Sequence, residues 1–314
     1  MSIESCHVRE SIREINDNSW VIGGRILLSR QSSPPLSGTF WGDGTGSFYT
    51  ITDAPHPPSE YFSLPATSPF EKVYDRGEVS AVWIIGEAVL KARRLQKMFL
   101  PATREHVTLN ELKKRSLSFA IPEVYHHAEF DDRYYLFQSR IYGETLENFW
   151  VKMEETAKQN CISRMVSIIK ELMVWQGPNI SGVDGKHLPD PFILKQGPEQ
   201  ECSPDKVLRA CQELGMDCST FMFTHCDPAP PNIMVNDKGE LIGIIDWEIA
   251  GFVPKAWIIT KFYVSGGLDL PSATNDMDER EQWRIGVGGA LALKERFPHC
   301  VQDWFRRYYP SGKD

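Results

Sequence analysis

Two carboxylates and one carboxamide carry the chemistry that this sequence can do. In FTHCDPAPPNIMVNDKGELIGIIDWEIAG, residues 223–251, Asp227 and Asn232 stand five positions apart, and Asp246 follows an apolar hairpin. His225 precedes the first aspartate by two residues, and Pro228, Pro230 and Pro231 lie between the polar groups. Phosphoryl transfer uses such a set. One carboxylate orients or deprotonates an attacking hydroxyl or amine, and hard oxygen ligands hold the magnesium ions that neutralise a triphosphate. A single loop aspartate is usually a turn or cap residue, and an aspartate after an apolar strand can simply end it. The joint pattern, H-x-D-x-x-x-x-N and then I-I-D-W-E beyond a hairpin, is far harder to meet by accident than its parts.

These groups need elements to hold them. FMFTH, then NIMV opened by Asn232, then LIGIID after the reversal at Asp237 to Gly239, predict three short strands. The three polar side chains would then sit at the ends of adjacent strands. Upstream, EKVYDRG, VSAVWII and EAVLKAR are runs rich in valine and isoleucine, separated by Gly77 and Gly86, and predict consecutive antiparallel strands. TREHVTLNELKKRS, opened by Pro101 and Thr103, predicts a helix with Val107, Leu109 and Leu112 as its apolar residues. PEVYHHAEF and RYYLFQSRIY, joined at Asp131-Asp132, predict two more strands. Helical patterns dominate from Thr145. The expected fold class is therefore α+β and two-lobed. A small antiparallel five-stranded N-lobe spans 71–142, a mainly helical C-lobe spans 143–314, and residues 1–70 form an extension packed on the body. Within that extension SIREIND reads as helical and WVIGGRILLS as strand-like. RQSSPPLSGTFWGDGTGS and APHPPSEYFSLPATSP read as loops or extended cover.

The catalytic stretch resembles the aminoglycoside phosphotransferase and choline kinase family, whose fold is that of the protein kinases. The resemblance is strong over about 220–255, fair over about 71–150 and thin elsewhere. It implies Asp227 as the catalytic-loop aspartate and His225 as the histidine that braces that loop. It implies Asn232 and Asp246 as magnesium ligands, with Trp247 and Glu248 completing a D-W-E variant. ATP and Mg2+ are the implied cofactors, and a hydroxyl or amine of a small molecule is the implied acceptor of the γ-phosphate. In the small lobe the turn with Gly77 and Ser80 takes the place of a phosphate-covering loop, although DRGEVSAV lacks a full G-x-G-x-x-G. Lys91, at the end of the third strand, resembles the lysine that neutralises the α- and β-phosphates; by itself it reads equally as a solvated surface lysine, and Arg93 and Arg94 compete for the place. Glu105 best matches the helix glutamate that pairs with that lysine, with Glu111 as the fallback. Backbone groups near Phe137, Gln138, Ser139 and Arg140 would bind the adenine edge.

The family's catalytic loop commonly reads H-G-D-L, whereas this chain has H-C-D-P. A cysteine at 226 is strained if that position needs a positive φ, and Pro228 restricts Asp227 toward extended geometry. No arginine precedes Asp227 and no A-P-E segment follows Asp246, which favours a small acceptor over a protein. Trp257, Tyr263, Asp269, Asp276, Asp278, Glu279 and Trp283 could together hold a cationic amine. For most of them the structural reading is the better one: NDMDEREQW begins a helix, where acids are favoured by capping and the dipole.

Composition narrows the class. A net charge of −8 argues against a nucleic-acid partner. No apolar stretch approaches the roughly 20 residues of a membrane span, and the polar start is neither a secretory signal nor a transit peptide. The 7 cysteines include no C-x-x-C pair, so a reducing cytoplasm is the expected compartment and structural zinc is not. No part of the pattern specifies an oligomer. Beside the small-molecule kinase stand two alternatives: a non-catalytic nucleotide-binding scaffold, and a kinase fold turned to other metabolite chemistry. Retention of Lys91, Asp227, Asn232 and Asp246 together favours the kinase.

Overall fold

The structure is a computed structural model that describes residues 7–55, 60–96, 101–190, 192–193, 202–270, 277–292 and 299–308. Backbone contacts divide the chain into two units, Met1–Gln96 with Pro122–Arg140, and Lys97–Ile121 with Ile141–Asp314.

The first unit is a pair of facing sheets. Strands β1 (Ile12–Asn16), β2 (Ser19–Ile22), β3 (Ile26–Gln31), β4 (Phe40–Gly42), β5 (Phe48–Asp53) and β6 (Phe62–Ser63) make one sheet, in the order β4-β5-β3-β2-β1-β6. Strands β7 (Glu71–Asp75), β8 (Ser80–Ile85), β9 (Ala88–Arg94), β10 (Val124–Phe130) and β11 (Arg133–Ser139) make the second, in the order β10-β11-β9-β8-β7. All of its pairings are antiparallel. Alternation along a strand sends successive side chains to opposite faces. Ala81, Trp83, Ile85, Ala88, Leu90, Ala92, Tyr135 and Phe137 therefore share one face, buried in a common core with Trp20, Ile22, Leu28, Trp41 and Tyr49 of the first sheet. The opposite face carries Ser80, Val82, Ile84, Val89, Lys91, Leu136 and Gln138.

The N-terminal extension differs from its sequence reading. SIREIND is strand β1 and not a helix: Ile12 pairs with Ile22 and Glu14 with Trp20, so cross-strand partners overrule a weak local preference. The segment RQSSPPLSGTFWGDGTGS, read as loop, contains β4 and leads into β5. Its Gly-rich tip is folded around Asp43, whose carboxylate accepts the Thr45 N–H at 2.7 Å, the Ser47 N–H at 2.9 Å and the Thr45 hydroxyl at 2.7 Å. Arg30 Nε donates to the same group at 2.9 Å.

The second unit is mainly helical. Its elements are α1 (Glu105–Leu112), β12 (Glu144–Thr145), α2 (Leu146–Phe149), α3 (Glu155–Met173), β13 (Gln176–Gly177), α4 (Pro204–Glu213), β14 (Phe221–Thr224), β15 (Ile233–Val235), β16 (Leu241–Ile244), β17 (Gly251–Pro254), α5 (Lys255–Val264), α6 (Met277–Ala292) and α7 (His299–Tyr308). Helix α3 buries Ile162, Met165, Val166, Ile169 and Leu172, the spacing of one helical face. The strands form two small sheets, β12-β15-β16 and β13-β14-β17. The strand before Asp227 thus pairs with Gly251–Pro254 and not with β15, as adjacency in sequence had suggested. The prolines after Asp227 have no N–H to donate, so the chain leaves the sheet there. Among the described residues, no helix is long and apolar enough to cross a membrane.

Candidate active site

The second unit brings His225, Asp227, Asn232 and Asp246 together with Glu105. Strand β14 ends at Thr224, and the chain then makes a tight reversal. The Asp227 N–H donates to the His225 carbonyl at 2.8 Å, with Cys226 between them at φ 58°. The position where relatives commonly carry glycine does adopt the left-handed region, and the cysteine bears the strain. His225 is buried. Its Nε2 lies 2.9 Å from the Ile245 carbonyl, and its Nδ1 lies 3.2 Å from the Asp227 N–H. One neutral tautomer satisfies both: Nε2 donates and Nδ1 accepts. The histidine thus ties the loop of Asp227 to the strand that leads to Asp246.

Asn232 closes a 3-10 turn, Pro230–Asn232. Its Nδ2 donates to the Asp227 carbonyl at 3.0 Å and to Asp227 Oδ2 at 3.1 Å. Two acceptors on one side fix the amide's orientation, so its carbonyl oxygen faces away from Asp227. The Ile245 N–H donates to the Asn232 carbonyl at 2.9 Å, which ties Asn232 to the strand that ends beside Asp246. Asp246 itself is left-handed, φ 64° and ψ 60°, a conformation that Asp tolerates better than most residues. The following turn presents its N–H groups: that of Trp247 donates to Glu105 Oε1 at 3.1 Å. Glu105, the first residue of α1, is only 2% exposed. Carboxylate oxygens of Glu105, Asp246 and Glu248 lie within 4.8 Å of one another. Hard oxygen donors gathered so closely suit Mg2+, which prefers carboxylates and water.

Burial pushes the Asp227 carboxyl up to about 6. Lys261 opposes that rise, the negative Asp246 and Asp190 add to it, and the Asn232 hydrogen bond opposes it. Lys261 was not singled out in the sequence, although a lysine inside the apolar run AWIITKFYV was the available signal. It is 1% exposed and pairs at 2.9 Å with Asp190, itself 0% exposed, which also accepts the Trp257 indole N–H at 2.9 Å. Burial alone would lower the Lys261 ammonium, but Asp190, Cys226 and Asp227 outweigh it and hold its pKa above the usual lysine value. A full positive charge therefore persists behind the catalytic loop.

Two of the residues considered for the acceptor are structural. Trp257 is bound to Asp190, and Trp283 is buried with its indole N–H donating to the Pro228 carbonyl at 3.1 Å, which anchors the proline-rich loop. Asp269 is paired with Arg284 at 2.6 Å. Asp278 and Glu279 are exposed at the start of α6, Tyr263 is half-buried on α5, and Asp276 lies outside the described residues. Cys226 is fully buried and burial pushes its thiol well up, which disarms it as a nucleophile.

The remaining candidates stand on the first unit. Gly77 (φ 62°) lies in the β7–β8 turn, and Ser80 begins β8. Lys91 sits in the middle of β9, in register with Val82 and Leu136, and not at the strand's end. The Ser139 N–H donates to the Glu123 carbonyl at 2.8 Å and the Arg140 N–H to the Glu87 carbonyl at 2.9 Å, so neither donor is left for a ligand. Gln138 is 3% exposed, and its Oε1 has no hydrogen-bond partner among the described residues. Glu111, the fallback partner for Lys91, is paired instead with Lys114.

Comparison with known proteins places the chain. No curated protein matches it. Among solved structures, an aminoglycoside phosphotransferase, APH(3'')-Id from Streptomyces rimosus ATCC10970, is 15% identical at a TM-score of 0.48, covering 75% of this chain and 90% of that one. The ternary complex of APH(2'')-IIa with streptomycin and ATP is 17% identical at 0.47, covering 75% and 82%. ADP-bound APH(2'')-Ib is 16% identical at 0.47, covering 78% and 87%. These superpositions stay below 0.5, and the assignment rests on the family match. The model of the phosphotransferase enzyme family (APH) matches residues 73–256, more than half of the sequence, and the chain therefore belongs to that family.

Proposed function

We propose that the chain is an ATP- and Mg2+-dependent kinase that transfers the γ-phosphate to a hydroxyl or amine of a small molecule. The observation that carries this reading is the hold on Asp227. Its Oδ2 is fixed by Asn232 and its backbone by His225, which leaves Oδ1 to orient an acceptor. With its carboxyl near 6, Asp227 is ionised at neutral pH and close enough in basicity to take a proton. Asn232 Oδ1 and Asp246, with the neighbouring carboxylates of Glu105 and Glu248, would hold Mg2+. Bound there, the ion supplies charge neutralisation to the triphosphate.

Nucleotide binding is assigned to the first unit and acceptor chemistry to the second. On one face of the second sheet, Ser80 lies toward one end, Gln138 toward the other, and Lys91 midway between their levels. Register puts Gln138 level with Val89 and Ile84, four residues or about 13 Å of strand from Ser80. Phosphates between Ser80 and Lys91 and a base at the Gln138 end fit that spacing. With the Ser139 and Arg140 donors already used, the unsatisfied Gln138 Oε1 is an acceptor in need of a ligand donor.

Calorimetric titration with ATP, with and without Mg2+, tests the reading. Binding that needs the metal and is lost in Asp246→Ala, followed by ADP release on screening amines and alcohols, is the expected result. Absence of binding at millimolar Mg-ATP would sink it in favour of a repurposed fold.

A further inference from the structure

The turn between β7 and β8 is tied down from outside its own hairpin. It closes on itself through the Arg76 N–H to the Ser80 carbonyl at 2.8 Å and the Val79 N–H to the Arg76 carbonyl at 3.2 Å. Against it lies a single 3-10 turn of the N-terminal segment, Val8–Glu10. The Arg9 N–H donates to the Gly77 carbonyl at 3.1 Å, and Arg9 Nε stands 3.4 Å from Asp75 Oδ1. That aspartate also accepts the Gly77 N–H at 2.9 Å. His7 Nδ1 reaches Glu78 at 3.4 Å. A Cβ on Gly77 would fall 2.6 Å from Arg9 Nη2, so the guanidinium fills the space that the glycine leaves. The segment is itself rooted: Val8 is buried in the core between the two sheets, and the Ser11 carbonyl accepts the Gly23 N–H at 2.9 Å.

We propose that Arg9 is a positioning residue of the nucleotide site, holding the Asp75–Ser80 turn where it covers the triphosphate. The proposal rests on the phosphotransferase reading. A turn with one glycine in place of a G-x-G-x-x-G run has less freedom to fold over phosphates by itself, and the N-terminal segment supplies the missing definition from behind. The segment is then a working part of the site and not a cover. The Arg9–Asp75 pair contributes little to global stability, because its side chains are 49% and 28% exposed and such pairs are screened by solvent. Loss of Arg9 therefore acts locally, on the part of the ligand that the turn covers.

The test compares the full-length protein with Arg9→Ala, measuring Mg-ATP and adenosine binding by calorimetry and the melting temperature in parallel. The expected result is Mg-ATP weakened about tenfold, less than the roughly 100-fold that a 1 Å misplacement can cost, with adenosine affinity and melting temperature unchanged. Arg9→Lys should recover part of the loss. Gly77→Ala should weaken Mg-ATP in the native background and add less in the Arg9→Ala background, where the clash is gone. Unchanged Mg-ATP affinity in Arg9→Ala overturns the proposal, and so does an equal loss for adenosine. If Arg9→Ala fails to fold, Arg9→Lys decides: unchanged Mg-ATP affinity there overturns the proposal. Native protein that binds no Mg-ATP removes the kinase reading and the brace together, whereas normal binding with an indifferent Arg9 removes the brace alone.

Discussion

At the residue scale, the chemistry turns on one carboxylate with two oxygens in different situations. Asp227 Oδ2 is taken by Asn232, and burial together with Asp246 keeps the group's proton affinity high. Asp227→Ala should abolish ADP release while leaving Mg-ATP affinity within a few-fold, because its proposed role is at the acceptor and not at the metal. The pH dependence follows from the sign of the shift. The folded pKa is raised to about 6, so the carboxylate is ionised above that pH and protonated below it. A base must be ionised, and ADP release should fall as pH drops through about 6, with a one-proton slope. A rate that is flat from pH 5 to 8 would contradict the role. Cys226, next in sequence, takes no part: it is sealed in the interior and strained at a left-handed φ, a cost of roughly 1–2 kcal/mol that glycine would avoid.

At the element scale, two devices of the first unit can be separated. The β4–β5 loop depends on Asp43, whose carboxylate would be raised by burial but is held well below the usual range by Thr45, Ser47 and Arg30. A carboxylate with a depressed folded pKa stabilises the fold above its unfolded value near 4, and that stability is lost as pH falls further. Asp43→Ala removes the shared acceptor of Thr45, Ser47 and Arg30, donors that water can reach, and should cost about 1 kcal/mol in denaturant unfolding, the usual net worth of such hydrogen bonds. ADP turnover of the folded fraction should be retained. Strand β11 carries the other device. Gln138→Leu removes an amide oxygen that the described structure leaves unsatisfied, so the fold should not suffer. Affinity for ATP should fall relative to a purine triphosphate with no substituent at C6, and equal losses for both would argue against base reading by this side chain.

For the molecule as a whole, charge is distributed so that a lysine is locked inside an acidic chain. The net charge is −8, yet Lys261 is among the most buried residues of the second unit, paired with Asp190, whose carboxylate also accepts the Trp257 indole N–H. Removing one partner strands a charge. Lys261→Met should cost about 3–5 kcal/mol, and combining it with Asp190→Leu should recover much of that loss. If both single variants unfold at the native denaturant midpoint, the pair is not the structural element that its burial implies.

The division between sequence and structure follows the range of the interactions. Strands β7, β8, β9, β10 and β11, and the grouping of Asp227, Asn232 and Asp246, were legible because alternation, turn residues and motif spacing are encoded within contiguous segments. The family resemblance drew on the same stretch. What local pattern does not encode is partnership. SIREIND became a strand through Ile22 and Trp20, and β14 found β17 in place of its neighbour. Lys261 met Asp190, 71 positions away, and Glu105 met the Trp247 N–H, 142 positions away. Arg9 met Gly77 through an N-terminal segment that the sequence marked only as part of an extension packed on the body. The sequence by itself determined which groups are present and which short elements bear them. The tertiary structure decided which of them touch, because burial and hydrogen-bond satisfaction are settled among residues far apart in the chain.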